Sequence, residues 1–415
     1  MGEEREARAA TGPRAAWQVL RRRDFGPYFV GNALSASGTW FHSLAAALLV
    51  YRLTGSEFLL GVLAFSQFGA IVVLSPWAGA AADRFDRRRL LLVVQLAAVL
   101  LSAGLALLAF LGLANAWVVI GFTLALGVTS ALASPAQLAL VASLVPRRDL
   151  QTAVALNSMT FNVARALGPM LAALCVATLG IPASFAINSL SYLVLAAALL
   201  VIHPRPQERA VAPKLRESLE LVRRDPRLLG YLLIVAVVGY ASDPVNTLAP
   251  AFAEEFGRPD THAGFVIGAF GAGAVTAALV VAGRTAGTRR TIAATLVVLG
   301  LGIGAFALSP WLPLGFVFLY VAGFGYLASN TAATTRLQLG VDESQRGRIM
   351  ALWTVAFLGL RPLASLLDGA LASVAGVRVA GVVLALPALA AALVLLSPLG
   401  PGGARASRAT ARARA

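Results

Sequence analysis

Apolar residues in this chain arrive in long runs, and polar residues are confined to the breaks between them and to sparse stripes inside a few. Twelve runs are legible, at about 28–51, 58–81, 90–113, 117–144, 151–179, 182–202, 228–251, 262–282, 291–309, 312–335, 348–374 and 378–397. Each is close to the roughly 20 residues an α-helix needs to cross about 30 Å of hydrocarbon. The ten-residue alternation of an outer-membrane barrel strand is absent. Helices are then the remaining way to satisfy every backbone group in lipid. The pattern predicts an all-α membrane protein with twelve transmembrane helices.

The longest polar interruption, 203–227, follows six runs and precedes six. It divides the chain into a cytoplasmic N-terminal segment (1–27), a six-helix half (28–202), a cytoplasmic linker (203–227), a second six-helix half (228–397) and a cytoplasmic tail (398–415). Within the linker, Pro204, Pro206 and Pro213 oppose helix, whereas Leu215, Leu219 and Val222 recur at helical spacing. Lys214 to Arg224 is expected as a short amphipathic helix on the inner leaflet. The halves echo one another weakly, as internal repeats in transporters do. The fifth run places Arg165 before Gly168-Pro169, and the eleventh places Gly359 and Arg361 before Pro362.

Composition agrees with the runs: 58% of residues are hydrophobic and mean hydropathy is +0.78. The formal charge of +15 would suggest nucleic acid in a soluble protein, but no basic stripe is interleaved with aromatics on a soluble module. Instead, the Lys and Arg residues concentrate in alternate breaks and the two terminal segments. The opposite breaks hold only Arg52, Arg258 and Arg378. That asymmetry predicts both termini in the cytoplasm. Met1 to Gln18 is polar and shows no cleavable signal. Cys175, the single cysteine, reads as a small apolar helix residue. Heavy Ala and Arg usage with one lysine suggests a GC-rich bacterial genome, and hence a multi-pass protein of the bacterial inner membrane.

Between the second and third runs lies Gly79-Ala-Ala-Ala-Asp83-Arg84-Phe-Asp86-Arg87-Arg88-Arg89-Leu90. It resembles the loop of the major facilitator superfamily with the pattern Gly-x-x-x-Asp-Arg-x-Gly/Asp-Arg-Arg/Lys, matched here by Gly79, Asp83, Arg84, Asp86, Arg87 and Arg88. Three further segments resemble the bacterial siderophore-exporter and macrolide-efflux branch: Ala155 through Asn157, Asn162 and Arg165 to Pro169; Arg346-Gly-Arg348-Ile-Met350; and Tyr51-Arg-Leu-Thr54-Gly-Ser56. The resemblance implies two six-helix halves that alternate access. It gives the opening loop a conformational role, with Asp83 and Arg84 latching the inner helix ends. Asp83 is expected to accept from helix N-terminal amides, Arg84 and Arg87 to Arg89 to meet the anionic leaflet, and Gly79 to permit close helix approach, as do Gly264, Gly268, Gly271 and Gly273. In the second half Gly283-Arg284 to Arg289-Arg290 keeps the glycine and a basic pair but neither aspartate. Relatives that exchange drugs for protons usually carry an arginine in the fourth helix, and the fourth run here has no charge.

Ionisable groups inside apolar runs are expensive and normally face a cavity or a partner. Four stand out: Arg165, Asp243, Arg361 and Asp368. Ser158, Asn162, Arg165 and Pro169 share one helical face, as do Gly239, Asp243, Asn246 and Pro250, with Pro244 and Pro250 expected to bend the seventh helix. Uncharged polar stripes include Asn32 and Ser35 on the first helix, Gln137 on the fourth and Asn330 on the tenth. By the resemblance, the first, fourth, seventh and tenth helices line the central cavity. Asn32, Ser35, Gln137, Asn162, Arg165, Asn246, Asn330 and Arg361 are the substrate-binding candidates. Each arginine has a structural alternative, capping carbonyls freed by its proline or pairing with an aspartate. Asp243 and Asp368 are candidates for proton coupling, with a structural salt bridge or an outer-vestibule carboxylate as the alternative for Asp243.

The sequence holds no catalytic constellation, no His/Cys/Glu cluster with metal spacing and no phosphate-cradling Gly-Lys-Ser/Thr loop. The expectation is a cofactor-free secondary transporter and not an enzyme. Its partners are a small-molecule substrate, protons and the lipid bilayer, without nucleic acid and as a monomer, the default of the resembling fold. Proton-driven efflux of an amphipathic molecule such as a siderophore, macrolide-like drug or natural product leads. Uptake or flipping of a metabolite or lysophospholipid, and a transport-inactive scaffold or sensor, are the alternatives.

Overall fold

The computed structural model of the protein describes residues 13–205, 215–281, 287–342 and 345–397. Among these, every regular element is helical, and twelve helices are long and apolar enough to cross a membrane. In chain order, spans 1 to 12 are Phe25–Thr54, Glu57–Ser75, Arg87–Phe110, Ala116–Leu144, Arg147–Leu179, Ile181–Val201, Pro226–Thr247, Asp260–Val281, Arg289–Ala307, Leu312–Leu339, Arg346–Ala375 and Val377–Leu396. The second continues as helix to Arg84. Outward faces stay apolar, with Val93, Leu100, Leu138 and Leu279 all exposed. In water such a surface would drive aggregation, whereas lipid tails solvate it.

The chain falls into two compact units, Met1–Gly55 with Ser66–Ala210, and Ser56–Phe65 with Val211–Ala415. Span 2 is therefore divided, its first turns packing with the second unit and its remainder with the first. In the first unit, span 1 lies against spans 5 and 6, and span 3 against spans 4 and 6. Gly31 and Gly38, two turns apart, bring span 1 onto span 6. A Cβ on Gly31 would sit 2.9 Å from Leu195 Cα, and one on Gly38 would enter the side chains of Ser191 and Asn188. Phe25, Tyr28, Leu140, Leu195 and Leu199 fill the core at one end of this unit.

In the second unit, span 10 packs on spans 8 and 9, and span 9 on span 12. Gly273 of span 8 abuts the Tyr320 carbonyl, and Gly323 of span 10 abuts the Phe270 carbonyl. This reciprocal seam replaces side chains with backbone contact, the usual device for close helices in lipid. Gly79 departs from its expected packing role, because a Cβ there would meet no atom within 4 Å among the described residues.

Spans 7 and 11 are not continuous helices. Span 7 runs as Pro226–Ala241, then Asp243–Thr247, and a third helix, Ala249–Glu255, follows. Span 11 runs as Arg346–Gly359 and Arg361–Ala375. Pro244, Pro250 and Pro362 each occupy the first turn of a new helix, where a missing N–H is tolerated. The expected bend in span 7 is thus a pair of breaks, and the middle of span 11 is a break as well.

A helix at Pro13–Leu20 precedes span 1, in a segment the hydropathy pattern left blank. The linker helix covers Leu215–Arg224 and packs on spans 7 and 11. The expected features at Pro206 to Lys214, at Gly283 and Arg284 and in the tail from 398 lie outside the described residues.

Candidate functional site

The breaks in spans 7 and 11 bring three charged candidates together inside the second unit. Asp243 opens the short middle helix of span 7, and Arg361 opens the second helix of span 11. The Arg361 Nε donates to Asp243 Oδ1 at 3.1 Å, with the side chains only 8% and 1% exposed. Two hydroxyls complete the carboxylate's shell. Ser365 Oγ lies 2.6 Å from Asp243 Oδ2 and Thr247 Oγ1 donates to the same oxygen at 3.2 Å. Each hydroxyl stands four residues after its charged neighbour, the spacing that puts two side chains on one helix face.

Asp368 lies two turns beyond Arg361 and is fully buried. Neither of its carboxyl oxygens has a hydrogen-bond partner among the described residues. Asp243 and Arg361 are its charged neighbours, and Tyr240 stands within electrostatic reach of both aspartates. Next to Asp368, Gly369 meets Gly61 of span 2, whose own Cβ would collide with the Ser365 carbonyl. The first turns of span 2 therefore cover the face of span 11 that carries the cluster. Asn246, one turn from Asp243, is half-buried and its Nδ2 donates to the Ser242 carbonyl at 3.0 Å. Asn330 of span 10 is half-buried, and its Oδ1 is enclosed without a hydrogen-bond partner among the described residues.

In the first unit the polar candidates are spread over spans 1, 4 and 5. Asn32 donates to Asn157 Oδ1 at 2.9 Å, tying span 1 to span 5. Ser35 is buried one turn later, and Arg165 is half-buried in span 5, one turn before Pro169. Trp40 of span 1 packs over Gly168, where a Cβ would lie 2.7 Å from the Trp40 Cβ. Gln137 is half-buried, two residues after Pro135 inside the helix of span 4. Asn162 lies in span 5, but its side chain is outside the description. Two polar links were not anticipated from the sequence: Gln67 Nε2 donates to Ser43 Oγ at 2.7 Å, and His42 Nε2 is 3.1 Å from Thr123 Oγ1.

Two bundles of apolar helices, broken spans and buried polar groups suit a solute carrier, and comparison with known proteins identifies which kind. The family described as transmembrane secretion effector, within the major facilitator superfamily, matches residues 14–413. The chain belongs to that family. It is a membrane transporter, not an enzyme. Among curated proteins it is similar to the enterobactin exporter EntS of Shigella boydii serotype 4 (strain Sb227), 28% identical over 347 residues and 80% of each chain. EntS of Escherichia coli O139:H28 (strain E24377A / ETEC) is 27% identical over the same length and shares. Among solved structures, a bacterial homolog to the human lysosomal transporter Spinster superposes with a TM-score of 0.74 at 12% identity, covering 93% of this chain and 97% of that one. The nucleoside transporter NupG gives 0.70 at 12% identity, covering 90% and 98%. At these identities the structural likeness concerns the fold alone.

In this family member the loop after span 2 also supplies the cap of the next helix. The N-terminal cap of span 3 is Asp86, whose Oδ1 accepts from the Arg89 N–H at 2.8 Å. Asp83 falls in the last turn of the span 2 helix, and its side chain is outside the description. Arg88 is committed to backbone, donating to the carbonyls of Leu199 and Leu200 at the end of span 6. Arg84 lies over the Phe85 ring, 5.9 Å from its centroid.

Proposed function

We propose that this transporter exports an amphipathic small molecule of the siderophore, macrolide or natural-product kind across the bacterial inner membrane. Export is exchanged for protons by alternating access of its two units. The observation that carries the reading is the buried cluster of Asp243, Arg361 and Asp368. Two carboxyls face one guanidinium in a space closed to water, so the fully ionised cluster is left with an uncompensated negative charge. Burying such a charge costs several kcal/mol. One bound proton makes the cluster neutral. The site therefore takes up a proton when it is closed and releases it when water reaches it, which is the property an antiporter requires.

In this reading Arg361, already engaged by Asp243, serves the proton site. Asn32, Ser35, Gln137, Asn162, Arg165, Asn246 and Asn330 serve the substrate. Outward transport and the substrate class are supported by the similarity to proteins named enterobactin exporters. Cytoplasmic termini are supported by the one-sided distribution of arginine.

The test uses everted membrane vesicles with a pre-formed proton gradient. Addition of siderophores or macrolides is expected to dissipate the gradient in vesicles carrying the wild type. Asp243→Asn and Asp368→Asn are expected to keep substrate binding while losing that proton flux. Undiminished, substrate-dependent proton movement in both variants would remove the cluster from the mechanism.

A further inference from the structure

At one end of the first unit, a cavity of about 890 Å³ lies among the turn between spans 2 and 3, the end of span 4 and the segment after span 6. Among the described residues, its lining carries Arg84, Arg87, Arg88, Arg89 and Arg205, against the carboxylate of Asp86. The hydrogen bonds of Asp86 and Arg88 shape the local structure. Asp86 caps span 3, and Arg88 is drawn onto the Leu199 and Leu200 carbonyls, which fixes the start of span 3 to the end of span 6. Arg205 is held at the rim by its backbone N–H, which donates to the Ser143 carbonyl at 3.1 Å. His203, also in the lining, stands 4.0 Å from Asp24. Crowded guanidinium groups repel one another, and a bound anion relieves that repulsion.

The chemistry beside the cavity indicates what kind of anion. Phe85 in the lining is 58% exposed. Along span 3, Val93, Leu96 and Leu100 recur on one outward face, and Leu200 and Val201 are exposed at the end of span 6. A charged recess thus adjoins a strip that only acyl chains solvate well. A soluble phosphate would use the first feature, and a phospholipid uses both. The volume falls within the range of about 300–1,000 Å³ typical of ligand pockets, well beyond what one phosphate ion fills.

We infer that this cavity is a binding site for the headgroup of an anionic phospholipid, a glycerol-bearing phosphodiester whose acyl chains lie along span 3. Arg84, Arg89 and Arg205 donate to the phosphate oxygens, for which the guanidinium fork is suited. The inference is independent of the exported substrate and of proton coupling.

The experiment measures lipid retention by the full-length protein in neutral detergent, using native mass spectrometry. The probes are phosphatidylglycerol, phosphatidylcholine and inorganic pyrophosphate. Wild type is expected to retain phosphatidylglycerol over phosphatidylcholine, and less so in 0.5 M NaCl. The triple variant Arg84→Gln/Arg89→Gln/Arg205→Gln is expected to bind phosphatidylglycerol at least tenfold more weakly. Substituting two exposed arginines elsewhere, Arg258→Gln/Arg290→Gln, is expected to change nothing. No preference for phosphatidylglycerol, or equal retention by the triple variant, overturns the site. Pyrophosphate binding that the triple variant loses, without a lipid preference, overturns the lipid and assigns a soluble phosphate. Because the triple variant could fold poorly, a photoactivatable phosphatidylglycerol is also applied to wild type. Crosslinks in residues 84–100 and 199–205 support the site, and crosslinks confined elsewhere overturn it.

Discussion

Asp243 accepts from three side chains, and each of them is anchored by the same short stretch of helix that anchors its neighbour. That arrangement makes the carboxylate and the guanidinium costly to separate and cheap to replace together. Removing one partner of a buried ion pair costs about 3–5 kcal/mol, whereas exchanging both for apolar groups of similar volume is often neutral. Asp243→Ala should therefore lower the melting temperature in detergent far more than the double change Asp243→Leu/Arg361→Met. Equal destabilisation would show that the pair is not the element being lost. Asn32→Ala should be milder, because it removes one half-buried amide link to Asn157, worth about 0.5–1.5 kcal/mol. Asp243, Arg361 and Asp368 were visible in the sequence because a charge inside an apolar run is conspicuous. Ser365 and Thr247 were not, since hydroxyls are common in such runs. The pairing of positions 118 and 122 residues apart also leaves no trace in the periodicity of either helix.

At the level of elements, glycine acts at some positions as a contact surface and at others only as a small residue. Gly323 and Gly273 lie against carbonyls of the opposing helix, where no side-chain adjustment can make room. Gly323→Val is expected to abolish recovery of monodisperse protein. Gly79→Ala should melt no lower than wild type, because its Cβ enters open space and alanine favours helix by roughly 0.5–1 kcal/mol. A drop in melting temperature for Gly79→Ala would mean that another conformation needs the close approach. Asp86→Ala should cost about 0.5–2 kcal/mol through loss of the span 3 cap. Element boundaries in spans 7 and 11 were only partly legible. Pro244, Pro250 and Pro362 announce a disturbance, but a kink and a full break look alike in sequence. In the structure, the first break in span 7 coincides with a side chain that takes over freed backbone, as Ser242 does for the Gly239 carbonyl.

For the molecule as a whole, the number of spans was legible because hydropathy is a local property that each helix satisfies alone. The grouping of helices was not, as span 2 illustrates: one unbroken helix gives its first turns to one unit and its remainder to the other. The charge asymmetry makes a separate claim about orientation. A reporter that is active only in the cytoplasm should work when fused to the C-terminus and fail when inserted near Arg258 or Arg378. The reverse pattern would invert the membrane topology and with it the assigned direction of export. A last consequence follows from Cys175, the sole cysteine of the chain, which lies in span 5 with 7% of its surface exposed. The wild-type protein already offers a quiet background for thiol chemistry. A spin label or fluorophore introduced at any exposed position would report from that position alone, so distances between the moving parts can be measured without first removing native sulfhydryls.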